Sequence, residues 1–136
     1  MATVKDIYGA MDEWAPFETQ MDYDNSGFLV GHGEAEVKRV LVALDITGEV
    51  ADEAAGLGAQ LIVAHHPVMN CAWEKVQSVR SDTVQGSILI KLLTAGISGI
   101  CMHTNLDVAP GGVNDALAAA LASAPHVRAT GIYTHF

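Results

Sequence analysis

Two adjacent histidines follow an apolar run near the middle of the chain. His65 and His66 come directly after the apolar residues 61–64. A second apolar run leads into His103, and Asp107 stands four residues further on. Neutral imidazole and carboxylate are the usual protein ligands of zinc, iron and manganese. These residue types indicate a divalent-metal site, provided that the fold brings the two stretches together.

The pairing of His65 with His66 favours a site wider than one ion. Neighbouring side chains on an extended strand point in opposite directions, so the two rings need not bind the same ion. Two metal ions about 3.5–4 Å apart are suited to hydrolysis, and Asp107 is a candidate for part of the carboxylate shell of such a site. Two histidines at a strand end also occur as a packed or solvated pair, and these residues alone leave that alternative open.

Strands and helices alternate along the chain. Apolar runs predict strands over residues 28–30, 37–44, 60–64 and 97–102. Apolar periodicity and capping residues predict helices over residues 3–14, 49–57, 81–95 (beginning at Ser81 or Asp82) and 113–123. The segment 68–78 reads as an irregular loop over the site, and the tail 126–136 as one further strand. This order predicts an α/β fold, with a mostly parallel sheet and flanking helices.

The polar residues that end the three main strands should meet at one edge of this sheet, because binding sites form at the carboxyl ends of parallel strands. The strand over 37–44 is continuously apolar near its end, as expected for a strand that is buried on both faces. Asp45 and Thr47 follow it, and they either cap the next helix or line the site. His65/His66 and His103/Asp107 end the other two strands, which supports a shared metal site.

Other sequence features are weaker candidates for a metal or catalytic site. Cys71 and Cys101 lie near the histidines and could supply a soft metal ligand, although a free cysteine is usually a small buried hydrophobe. His32 and Glu36 stand four residues apart, but Gly33 between them favours a loop. The chain has no Gly-x-Ser-x-Gly nucleophile elbow, no phosphate-binding P-loop and no dinucleotide fingerprint.

Composition narrows the class of protein. The chain has 136 residues, of which 50% are hydrophobic, and this predicts a single domain over 1–136 with a sizeable core. Sixteen acidic residues against seven basic ones give a net charge of −9, which disfavours nucleic acid and anionic membranes as partners. The polar start lacks the apolar region of a signal peptide, and no apolar run approaches the ~20 residues that span a bilayer. We therefore expect a cytoplasmic protein.

Four motifs together resemble the Nif-three-like family, also called the GTP cyclohydrolase 1 type 2 homologue family. They are Asp24-Asn25-Ser26-Gly27, Leu44-Asp45-Ile46-Thr47, His65-His66-Pro67 and the stretch from His103 to Asp115. The resemblance implies an α/β fold with a dinuclear divalent-metal site, often in toroidal homohexamers. It implies that His65, His66 and Asp107 are metal ligands. His103 would be a ligand or a proton-transfer group.

Members of this family are usually longer, and their second half supplies a His-x-x-x-Glu pair that completes the metal site. The only such spacing here, His32 to Glu36, lies at the other end of the chain, so that role is not transferred to it. The chain thus resembles the N-terminal lobe, as the first half of the family domain or as a divergent short form, with one or two ions of zinc, iron or manganese expected. The resemblance implies a metal-dependent hydrolase acting on an unknown small molecule, or a non-catalytic metal- or partner-binding protein. A homo-oligomer is expected in either case.

Overall fold

A computed structural model describes residues 1–69, 78–126 and 128, and its centre is a four-stranded sheet. The strands are β1 (Gly27–Val30), β2 (Val40–Ala43), β3 (Leu61–Ala64) and β4 (Ser98–Cys101). They lie in the order β1-β4-β3-β2; β2, β3 and β4 are parallel, and β1 pairs with β4 antiparallel. The predicted α/β fold with a mostly parallel sheet is confirmed. That residues 1–136 form one domain stays a prediction.

The described residues also form helices near most of the predicted positions. They are α1 (Val4–Trp14), α2 (Gly48–Leu57), α3 (Val84–Thr94), α4 (Thr104–Val108) and α5 (Val113–Ser123), with a short 3-10 helix at Phe17–Thr19. Thr3 and Asp6 form a capping box at the start of α1, each side chain accepting a hydrogen bond from the other's backbone N–H. Gly58 ends α2 with a φ of 64°, a left-handed conformation that glycine adopts without a Cβ clash.

One helix prediction needs correction, and one helix of the structure is absent from the predictions. Helix α3 is capped by Thr83, whose hydroxyl accepts a hydrogen bond from the Gly86 N–H, and not by Ser81 or Asp82. The Asp82 carboxylate instead pairs with the Arg80 guanidinium. Helix α4 is not predicted by the sequence patterns, because a single helical turn carries too little apolar periodicity to be seen.

Strand β3 lies between two buried apolar clusters, one on each of its faces. Ile62 and Ala64 belong to a buried cluster with residues of α2 and α3. Leu61, on the opposite face, belongs to a second cluster with Val4 of α1 and Ile100 of β4. This alternation is the period-two pattern of a strand that is covered on both faces. It makes β3 and β4 the rigid centre from which the histidine segments leave the sheet.

The prediction that the strand before Asp45 is buried on both faces is wrong. Val42 of β2 is 77% exposed, and Leu44 just after it is 62% exposed. Both side chains border an open apolar groove, and β2 is also the edge strand of the sheet. A continuous apolar run cannot distinguish a central strand from an edge strand whose face lies open.

Some predictions concern residues outside the described ranges. Most of the predicted loop over 68–78 lies there, with Cys71, and so does the predicted strand over 126–136 apart from His126 and Arg128. Among the helices that the structure describes, none combines the length and the apolar character that crossing a bilayer requires.

Candidate metal centre

Three histidines meet at the carboxyl edge of the sheet. Strands β3 and β4 are adjacent and parallel, with Ala64 beside Cys101, so the chain leaves both strands at the same edge. One ring nitrogen each from His65, His66 and His103 lies within 4.8 Å of those of the other two. The ring centroids are 5.1 Å, 5.0 Å and 5.5 Å apart. This group of donors can hold a metal ion.

The Nδ1 atom of each ring contacts an oxygen acceptor. His65 Nδ1 lies 2.9 Å from the Met102 carbonyl oxygen, and His66 Nδ1 lies 2.7 Å from Asp45 Oδ1. His103 Nδ1 lies 2.9 Å from Asp24 Oδ1. A carbonyl or an ionised carboxylate only accepts hydrogen bonds, so Nδ1 must donate in each case. The neutral rings then carry their lone pair on Nε2, the arrangement found in metal-binding histidines.

Asp107 lies beside this group. It belongs to α4, and its Oδ1 is 3.9 Å from His65 Nε2, with both side chains 21% exposed. Metal–ligand distances of about 2.0–2.2 Å allow two ligand atoms on one ion to be about 4 Å apart. Of the four predicted ligands, the structure thus brings His65, His66 and His103 into one group and puts Asp107 beside His65. Their roles as ligands stay a prediction.

The whole-chain comparison agrees with the sequence motifs. The profile of the family described as Duf34/NIF3 (NGG1p interacting factor 3) matches residues 2–130. The chain belongs to the Duf34/NIF3 family. A GTP cyclohydrolase 1 type 2 homolog of Halalkalibacterium halodurans is 39% identical over 121 residues, which are 89% of this chain and 32% of that protein. The resemblance seen in the sequence is confirmed.

Solved structures of Duf34/NIF3 relatives have the same fold. The crystal structure of the Staphylococcus aureus protein SA1388 has a TM-score of 0.82 at 40% identity, over 89% of this chain and 34% of that one. Reduced HcgD from Methanocaldococcus jannaschii has a TM-score of 0.79 at 29% identity, over 89% of this chain and 47% of that one. This chain spans about a third to two fifths of the length of the curated relatives it matches.

The two polar residues after β2 have different roles: one caps the next helix, and the other contacts the histidine site. The Thr47 hydroxyl accepts a hydrogen bond from the Val50 N–H and caps α2. The Asp45 carboxylate instead bonds to the His66 ring. Thr47 therefore supports the helix, while Asp45 belongs to the surroundings of the site.

Asp24 is the residue of this Duf34/NIF3 site that the sequence pattern does not assign. Its carboxylate bonds to the His103 ring, whereas Asp24-Asn25-Ser26-Gly27 is one of the four family motifs and by itself assigns Asp24 no role in the site. Burial acts to raise the pKa of Asp24, but hydrogen bonds from Thr104 and His103 outweigh it and lower the pKa to about 2. Asp24 is therefore ionised at neutral pH and able to accept a hydrogen bond from the Nδ1–H of His103.

Cys101 and His32, two of the weaker candidates, lie outside the histidine group. Cys101 is fully buried in the core, and burial raises the pKa of its thiol to about 12, which disfavours the thiolate that binds metals. His32 lies in the turn after β1, where its backbone N–H donates to Ser98 Oγ. Cys71 lies outside the described residues.

Two grooves adjoin the histidines. One, of about 490 Å³, is almost wholly apolar and extends from His65 along Val42 and Leu44. The other, of about 450 Å³, has mixed polarity and extends from His66 toward the start of α3. Both volumes are in the range of small-molecule sites. A ligand could thus approach the histidines from either side.

Proposed function

We propose that this Duf34/NIF3 chain binds one or two divalent cations through His65, His66, His103 and Asp107. The strongest support is that all three rings have the same hydrogen-bond arrangement, in which Nδ1 contacts an acceptor oxygen. A set of three imidazole nitrogens and one carboxylate suits zinc, iron or manganese. The arrangement therefore fits such an ion in both donor type and tautomer.

We propose hydrolysis of a small molecule as the activity of this centre. When bound, a divalent cation supplies Lewis acidity, which favours ionised water and polarises a phosphoryl or carbonyl oxygen. The grooves beside His65 and His66 have the volume to hold and orient a substrate. Asp45 and Asp24 would keep the rings of His66 and His103 in place during turnover.

His103 has two roles to be separated, as a ligand or as a proton-transfer group. Its position in the histidine group supports the ligand role, with Nε2 as the donor atom. We expect His103→Gln to weaken cation binding together with any turnover. Unchanged cation binding with lost turnover would instead assign proton transfer to His103.

A non-catalytic metal-binding role is the second candidate, and the number of donors favours it. Four protein ligands complete a tetrahedral ion and leave no open position, which is typical of structural sites. The three histidines form one group, and Asp107, whose Oδ1 lies 3.9 Å from His65 Nε2, is the candidate fourth donor. Turnover of a panel of phosphoesters and nucleotides separates the two candidates, since only hydrolysis predicts turnover that is lost in His66→Ala.

Metal analysis tests both candidates at once. We expect the purified protein, supplied with zinc, iron or manganese, to retain one or two ions per chain. His65→Ala and Asp107→Ala should lose most of this metal while keeping the circular dichroism spectrum of the wild type. A wild-type protein that retains no ion at saturating supply would refute the metal-binding proposal.

We also propose that the chain is a cytoplasmic homo-oligomer. Val42, Leu44 and Val113 border the apolar groove and are 77%, 62% and 39% exposed. Exposed apolar surface of this kind is typical of an interface. Light scattering should give a mass above one chain, and Val42→Glu should lower that mass. A wild-type monomer across the accessible concentrations would contradict this proposal.

A further inference from the structure

Asp24 is surrounded by hydrogen-bond donors. Its side chain is 1% exposed. Oδ1 accepts from the Asn25 N–H at 2.8 Å and from His103 Nδ1 at 2.9 Å. Oδ2 accepts from Ser26 Oγ at 3.1 Å, from the Thr104 N–H at 3.0 Å and from the Thr104 hydroxyl. Five hydrogen-bond donors therefore converge on one buried carboxylate.

The hydroxyl groups of Ser26 and Thr104 connect the Asp24 carboxylate to two backbone N–H groups. Because the ionised carboxylate only accepts, Ser26 and Thr104 must direct their protons to Asp24. Ser26 Oγ is then free to accept from the His103 N–H at 3.2 Å, and Thr104 Oγ1 from the Met21 N–H at 3.0 Å. The direction of every hydrogen bond in this network is thus set by one carboxylate.

The segment 24–26, here the Asp24 segment, holds His103 at two points. Asp24 bonds to the imidazole ring, and Ser26 bonds to the backbone N–H of the same residue. The Asp24 segment also reaches the segment after β3, because Asn25 Nδ2 donates to the Met69 carbonyl at 2.7 Å. One short segment therefore connects the parts of the chain that carry the three histidines.

We propose that Asp24 is a positioning residue of the candidate metal centre, which selects the Nδ1–H tautomer of His103 and fixes its ring so that Nε2 faces the other histidines. This inference rests on the proposed metal binding. Outer carboxylates of this kind hold ligand rings in place and raise their basicity, and their loss typically weakens metal affinity by about 10–100-fold.

Asp24→Asn is the sharpest variant, because it keeps the shape and changes the donor pattern. An amide offers an acceptor on one side and a donor on the other. If the amide oxygen faces the two Thr104 donors, the amide NH₂ meets His103 Nδ1 and the Nε2–H tautomer becomes favoured. That tautomer has no lone pair on Nε2 for a metal ion.

Nitrogen NMR of the metal-free protein tests the tautomer directly, with His103 assigned through its absence in His103→Gln. At a pH where the ring is neutral, we expect protonated Nδ1 in the wild type and a larger Nε2–H population in Asp24→Asn. A wild-type ring protonated at Nε2, or the same tautomer in both proteins, would overturn the proposal. The wild-type spectrum decides this even if the variant does not fold.

Zinc titration provides the second readout, and Asp22→Asn is its matched control. Asp22 is exposed, stands two residues away and loses the same charge. We expect Asp24→Asn to bind Zn²⁺ about 10–100-fold more weakly, and Asp22→Asn to stay within about twofold of the wild type. Equal affinity of Asp24→Asn and wild type would overturn the positioning role. A wild type that binds no Zn²⁺ would refute the proposed metal function, while the tautomer would still test Asp24.

Discussion

Two carboxylate–histidine pairs flank the candidate centre, and their environments differ. In the Asp24–His103 pair the side chains are 1% and 18% exposed, and the carboxylate has other partners from Asn25, Ser26 and Thr104. In the Asp45–His66 pair the side chains are 51% and 45% exposed. The hydrogen-bond lengths, 2.9 Å and 2.7 Å, do not reveal this difference.

The contrast shows that burial, and not distance, separates the two pairs energetically. An exposed ion pair is screened by water and salt and contributes about 0–1 kcal/mol. A buried carboxylate cannot be removed without leaving its donors unpaired in a poorly solvated place. The Asp24 pair should therefore be part of the folded framework, while the Asp45 pair should act mainly on the orientation of His66.

The largest expected effect is that of Asp24→Ala on stability. The change leaves the donors of Ser26, Thr104 and His103 without their acceptor, and each buried donor left unpaired costs about 1–3 kcal/mol, so the loss should exceed that of any single donor. Urea unfolding of the metal-free protein, followed by circular dichroism, measures the loss. Asp45→Ala is the matched control. If the two variants lost equal stability, the contrast between the pairs would be refuted.

Ser26→Ala should lower the stability by an intermediate amount. This variant tests what the Ser26 hydroxyl contributes to the network apart from the Asp24 carboxylate. Ser26 is 8% exposed, and its hydroxyl joins Asp24 to the His103 N–H. Its removal leaves one buried donor unpaired, at a cost of about 1–3 kcal/mol. The same urea experiment measures it, with Ser123→Ala on the exposed α5 as the control. A Ser26→Ala protein as stable as the wild type would show that Asp24 acts without this hydroxyl.

The histidines could be placed from the sequence because local apolar runs show where each strand lies along the chain. Apolar runs locate β3 and β4, and parallel strands end at the same edge, so His65, His66 and His103 were expected together. The Asp24–His103 contact could not be predicted in this way. It joins residues 79 positions apart, and it depends on the antiparallel pairing of β1 with β4, which a turn motif does not encode.

The fold prediction fails at β2 for a related reason. Residues 40–43 have the composition of a buried parallel strand, but burial depends on which elements cover each face. The order β1-β4-β3-β2 places this strand at the edge, and no property of residues 40–43 specifies that order. Local chemistry thus predicts which residues form strands, whereas the long-range arrangement decides what each strand contacts.

Asp45→Asn should give the smallest effect and completes the comparison. Because the side chain is half exposed, water can replace the lost partner of His66 Nδ1, and we expect stability to change by less than about 1 kcal/mol. Zinc affinity should fall by less than about 10-fold, below the range typical for an outer carboxylate. Zinc titration beside Asp24→Asn measures the difference. A larger loss in Asp45→Asn than in Asp24→Asn would mean that the orientation of His66, and not the buried Asp24 segment, limits metal binding.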